Sequence, residues 1–114
     1  MIKRFLWSGG LAALLALGPA ASGQAEETVR LYAAGSLRAA LTEVARVYGE
    51  QTGTRVATTF GPSGSLRERL QQGEAAEVFA SANMEHPQRL AAQGLAGEVR
   101  RFARNQLCAL AQAW

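Results

Sequence analysis

Ser36 and Ser63 each follow a short β-type run and open an amphipathic segment, a position from which a hydroxyl can hold an anion. Ser36 stands in Val29-Arg-Leu-Tyr-Ala-Ala-Gly-Ser-Leu37, and Ser63 in Val56-Ala-Thr-Thr-Phe-Gly-Pro-Ser-Gly-Ser65. Gly35 lets the backbone turn closely before Ser36, and serine is a preferred N-cap residue. A helix start carries unpaired N–H groups and roughly half a positive charge. A strand that delivers such a start to the surface makes an anion site, and two of them can converge on one ion. The chemistry fits a tetrahedral oxyanion without a counter-cation, because hydroxyls and N–H groups donate and neither loop carries a lysine. Capping alone accounts for a serine at either place. The pairing at matching strand ends is what brings the anion reading level with it.

Other chemistries fit less well. The glycine spacing and terminal Gly-Lys-Ser/Thr of a phosphate loop are absent, as is the dinucleotide fingerprint. Gly61-Pro62-Ser63-Gly64-Ser65 approaches the nucleophile elbow of serine hydrolases but ends in serine instead of glycine. The single histidine, His86, would have to serve Ser63 with an orienting group such as Glu77. That secreted-hydrolase reading is the rival from another class, although a histidine beside Pro87 is ordinarily a surface residue. Cys108 is the only cysteine, so an internal disulfide or a cysteine zinc site is excluded, and it reads as a buried thiol near a strand. No residue set reads as direct ligands to a metal cation. Tyr32 and Phe60 flank the serine turns, where packing is their ordinary role, and Met84 reads as core filler.

The elements that must position these groups alternate. A strand over 28–34 precedes a helix from about Ser36 to Gln51, with Leu37, Ala40, Leu41, Val44, Val47 and Tyr48 on one apolar face. Gly53 ends it as a C′ glycine. A strand over 55–60 leads to a helix over 65–72 with Leu66 and Leu70 inward, closed by Gly73. A strand over 77–81 leads to a third helix, capped by Asn83, with Pro87 in its first turn and Leu90, Ala91 and Leu95 buried. Gly94 or Gly97 stops that helix. Two further strands are expected, over about 98–103 and 107–111, with Arg100-Arg101 on a solvated edge. This β-α-β-α-β-α-β-β order predicts an α/β fold with a parallel sheet and right-handed crossovers. Ligands in such sheets lie beyond the carboxyl ends of the strands. Both serine turns and Ser81-Ala-Asn83 therefore share one rim.

Residues 1–25 form a separate unit. Lys3 and Arg4 precede an apolar stretch of about 13 residues, too short for the roughly 20 needed to span a bilayer. A small, breaker-rich segment ending at Ala25 follows, which is the pattern of a cleaved secretory signal. The chain's formal charge of +3 includes those two bases. The balance beyond them is near +1, the arginines are scattered, and basic and aromatic residues do not interleave, so nucleic-acid binding is not indicated.

Three blocks, Leu-Tyr-Ala-Ala-Gly-Ser-Leu (31–37), Phe-Gly-Pro-Ser-Gly-Ser-Leu (60–66) and Glu-Val-Phe-Ala-Ser-Ala-Asn (77–83), resemble in order and spacing those of the periplasmic molybdate-binding proteins of ABC transporters. The resemblance runs from about Thr28 to Ala111. It implies a two-lobed periplasmic binding protein fold (type II), of which this chain is similar to the first parallel-sheet lobe, with the second lobe missing. Residues 26–105 would be the lobe, and 106–114 a truncated strand crossing the hinge. It implies molybdate or tungstate held by Ser36 and Ser63 through hydroxyl and backbone N–H, with Gly35, Gly61, Gly64 and Asn83 in the loops and rim. The family's commoner third block ends in Asp instead of Asn83. Further family contacts, a tyrosine among them, come from the later half and have no counterpart here. The Ala-Ala-Gly-Ser turn also resembles the sulfate-type relatives, so sulfate or another oxyanion is the alternative ligand. A monomer without cofactor, exported to the periplasm and serving a membrane permease, completes what the resemblance implies.

Overall fold

The computed structural model describes residues 26–106 and 108–112. The signal-peptide reading of residues 1–25, and the parts of the final run at Leu107, Ala113 and Trp114, lie outside the described residues.

The first strand, β1, is Thr28–Ala34. A single 3-10 turn, Gly35–Leu37, leads from it into helix α1, Arg38–Thr52. Strand β2 is Arg55–Gly61, helix α2 is Ser63–Gln71, strand β3 is Val78–Ala80 and helix α3 is Glu85–Ala92. The strands form a parallel sheet in the order β2-β1-β3. The fold is α/β, and the central strand is the one that bears Ser36 at its exit.

Register follows from chemistry on both sides of β1. Its whole length pairs with β2, from Thr28 opposite Arg55 to Ala34 opposite Gly61. Against β3 the pairing is short, from Leu31 opposite Val78 to Ala33 opposite Ala80. Side chains alternate across a sheet. Leu31, Ala33 and Ala80 form the buried centre of one face, with Leu37, Leu41, Val56 and Phe60 packed on it. Tyr32 and Ala34 point the other way, and Arg69 of α2 lies over the Tyr32 ring at 5.1 Å from its centroid. Leu66 and Leu90, the largest fully buried side chains, anchor α2 and α3.

Helix α1 ends as its sequence predicts, at Gly53 with φ +73° and its N–H bonded to the Gly49 carbonyl. Its apolar face is only half used. Leu37 and Leu41 reach the core, whereas Val44 and Tyr48 remain 57% and 46% exposed. Ala40 is exposed and Val47 half-buried, so the expectation of a continuous buried stripe is corrected.

The later elements also differ from the sequence reading. Helix α2 begins at Ser63, two residues early, because extended Pro62 (φ −60°, ψ 133°) already serves as its N-cap. Helix α3 stops at Gly94 (φ +72°), which turns the chain so that Leu95 is 55% exposed and not part of a buried stripe. Residues 98–106 and 108–112 form neither helix nor strand. A strand needs a ladder partner, and the described residues supply none beyond the three residues of β3. Cys108 is accordingly exposed, not buried, and Arg100 bonds Glu98 at 2.8 Å instead of edging a sheet.

Candidate oxyanion site

Ala34 and Gly61 are register partners, and each is followed two residues later by a serine. Neighbouring strands lie roughly 4.8 Å apart. Ser36 and Ser63 thus leave the sheet side by side at its carboxyl edge. Ser63 is the first residue of α2, so its N–H and those of Gly64 and Ser65 are first-turn donors without an intrahelical acceptor. The first such bond is Leu66 N–H to the Pro62 carbonyl, at 3.0 Å.

Ser36 departs from its expected local role. It lies inside the 3-10 turn and makes no side-chain capping bond to that turn or to α1. The residues that enter these elements are Ala34 and Leu37. Ser36 is exposed, and among the described residues its hydroxyl has no hydrogen-bond partner. Capping therefore does not explain this serine. Gly35 is also corrected. Its φ is not positive, and a Cβ there would meet nothing within 4 Å, so the turn itself does not require glycine. Gly61 likewise has only ordinary contact with Leu66.

The third loop joins the rim through a contact the sequence did not announce. The Ala82 N–H donates to Ser63 Oγ at 3.0 Å. Asn83 donates its N–H to Ser81 Oγ at 3.3 Å, and its Oδ1 accepts the His86 N–H at 3.4 Å from one residue before the N-cap, which is Met84 and not Asn83 as expected. Strand β1 lies between β2 and β3. The Ser63–Ala82 bond therefore joins the loops that follow the two outer strands.

Among the described residues, Arg38 and Arg67 follow the two serine turns, and both are engaged. The Arg38 guanidinium sits over the Phe60 ring at 4.7 Å. Arg67, one turn below Ser63, approaches His86 Nδ1 at 3.1 Å. A guanidinium only donates. His86 Nδ1 is therefore the acceptor, and the ring proton is on Nε2, the nitrogen nearer Gly64. That tautomer leaves no ring nitrogen free to take a proton from Ser63. The proposed orienting group Glu77 is bound to Arg30, which pulls its carboxyl down to about 2 through side-chain and backbone hydrogen bonds. A Ser63–His86–Glu77 triad is not assembled.

Tyr32, considered as a wall of the site, is buried on the α2 face with its hydroxyl bonded to Glu74, so its role is packing. Arg67 and the Ala82 N–H are the participants the sequence reading missed. Arg67 was legible as the residue four after Ser63 on the same helix face; the Ala82 donor is backbone and leaves no side-chain signal.

The bacterial extracellular solute-binding protein family matches residues 29–113, a range that includes both serine turns and the third loop. The chain belongs to that family. Among its relatives, an uncharacterised protein of Pasteurella multocida is 41% identical over 80 residues, covering 70% of this chain and 33% of that one. The molybdate-binding protein ModA of Mycobacterium tuberculosis is 34% identical over 100 residues, covering 86% of this chain and 38% of its own length. The solved periplasmic molybdate-binding protein of Azotobacter vinelandii superposes with a TM-score of 0.56 at 29% identity, over 58% of this chain and 29% of that one. A substrate-binding domain assigned to a molybdenum ABC transporter of Clostridium difficile gives 0.57 at 25% identity, over 60% and 30%. This chain spans about a third of the length of the curated relatives it matches.

Proposed function

We propose that this chain supplies the oxyanion-holding loops of an exported solute-binding protein. It captures molybdate or tungstate in the periplasm and passes the ion to the membrane permease of an ABC transporter. Ser36 and Ser63 each donate a hydroxyl and a backbone N–H, and the ion is not chemically altered. The observation that carries the reading is the register: two serines, each two residues past the paired Ala34 and Gly61, leave adjacent parallel strands. The named molybdate-binding relatives support the choice of ion. Lys3-Arg4 and the apolar stretch after it support export, and among the described residues no helix is long and apolar enough to cross a membrane.

Magnitudes bound the affinity of this chain by itself. A charge-assisted hydrogen bond nets about 1.5–3 kcal/mol, and four would give roughly 6–12 kcal/mol. Association costs about 4 kcal/mol or more. The remainder, about 2–8 kcal/mol, places the dissociation constant between about tens of millimolar and about micromolar.

A thermal-shift series tests the reading. Millimolar molybdate and tungstate should raise the melting midpoint by a few degrees, and sulfate by less. Phosphate should act least, because it carries a proton at neutral pH and neither serine turn presents a carboxylate to accept it. A shift largest for sulfate would move the assignment to the sulfate alternative, and the absence of any shift would end the oxyanion reading.

A further inference from the structure

We infer that Asn83 is a positioning residue for Ser63, acting through the Ala82 N–H. The inference rests on the oxyanion reading for its consequence, but its geometry stands independently. A serine hydroxyl has one proton to give and two lone pairs to accept with. In isolation it rotates and can do either. Here one lone pair of Ser63 Oγ is taken by the Ala82 N–H at 3.0 Å. The hydroxyl proton is then turned away from that donor. The third loop thus converts Ser63 from an ambivalent group into an oriented donor before any ligand arrives.

The loop that does this is held from both ends. The Asn83 N–H bonds Ser81 Oγ, closing a tight turn around Ala82. Asn83 Oδ1 accepts the His86 N–H and so fastens the turn to the first residues of α3. Helix α3 is in turn fixed against α2. His86 bonds Arg67 through Nδ1, its ring packs 3.5 Å from where a Gly64 Cβ would stand, and Gln71 bonds Gln93 at 2.8 Å. The circuit runs Ser63, α2, His86, Asn83, Ala82 and back to Ser63. Asn83 is its exposed link and closes it by one side-chain acceptor. Removing Oδ1 frees the turn that aims the Ala82 N–H, while leaving Leu66 and Leu90 in their buried places.

Two measurements on the full chain test this. The first needs no ligand. Amide hydrogen exchange at Ala82 should be about 3-fold or more faster in Asn83→Ala than in the wild type, and near the wild-type rate in Asn83→Asp, which keeps the capping oxygen. Unchanged exchange in Asn83→Ala overturns the inference. So does equal acceleration in the Asp variant. The Leu66 and Leu90 amides report whether either variant has loosened the fold as a whole, and acceleration there matching that at Ala82 also counts against it.

The second is a molybdate titration of Ser63→Ala, Asn83→Ala and the double variant. Asn83→Ala should weaken binding by about 3- to 10-fold when Ser63 is present. In the Ser63→Ala background it should change affinity by less than about 1.5-fold, because a residue that acts only through Ser63 has nothing left to position. Equal weakening in both backgrounds overturns the positioning role and makes Asn83 an independent contact. If Ser63→Ala itself leaves molybdate binding unchanged, the oxyanion reading fails, while accelerated Ala82 exchange would still uphold the structural circuit.

Discussion

Ser36 and Ser63 share a residue type and a strand-end position but differ in preparation. The hydroxyl of Ser63 is oriented by a neighbour, whereas that of Ser36 is exposed and unpartnered among the described residues. Ser36→Ala therefore removes a donor without disturbing the chain: its melting midpoint should stay within about 1 °C of wild type while molybdate affinity falls by about 10-fold. Parallel thermal and calorimetric measurements check both halves of that expectation. Away from the site, Glu77 is held to about 2 by Arg30 of β1, which donates hydrogen bonds to its carboxylate. A depressed carboxylate contributes stability that is complete above its ordinary value near 4.5 and is lost as pH falls from there towards 2. Glu77→Gln should leave the melting midpoint falling less steeply than wild type between pH 5 and pH 3, as followed by circular dichroism. Both serines were legible in the sequence because a hydroxyl after a strand and a glycine is visible as a residue type. The Ala82 donor was not, since every residue but proline carries an N–H, and the partner lies 19 positions away.

At the scale of elements, hydrophobic period located all three helices and turn glycines marked their ends. Gly53 is required at its place by a left-handed backbone, so Gly53→Ala should destabilise the chain by about 1 kcal/mol in urea unfolding. The period did not say how much of a face would be covered. Val44 is more than half exposed, and Val44→Ala should cost no more than about 0.5 kcal/mol. Leu66 is fully buried, and Leu66→Ala should cost about 2–4 kcal/mol. The same unfolding curves separate these two outcomes. The runs after α3 predict strands, yet residues 98–106 and 108–112 form none. β-propensity describes fit to a neighbouring strand, and a run of sequence carries no record of whether that neighbour is present.

Across the whole molecule, strand order does what no single turn can. Placing β1 between β2 and β3 gathers the three strand exits at one edge, and the α2 crossover brings Ser63 across to the third loop. The alternating pattern made the parallel sheet legible; the register that aligns Ser36 with Ser63 emerged only with the paired strands. The family match spans these same loops, in a chain whose matched part covers about a third of its curated relatives. The central claim is that both turns hold one ion together. A molybdate titration followed by backbone amide resonances tests it most directly. The amides of Ser36 and Ser63 should shift along curves that fit one dissociation constant, with those of β2 and α1 away from the rim unmoved. Movement of one serine amide without the other, or two curves with separate constants, would contradict a shared site.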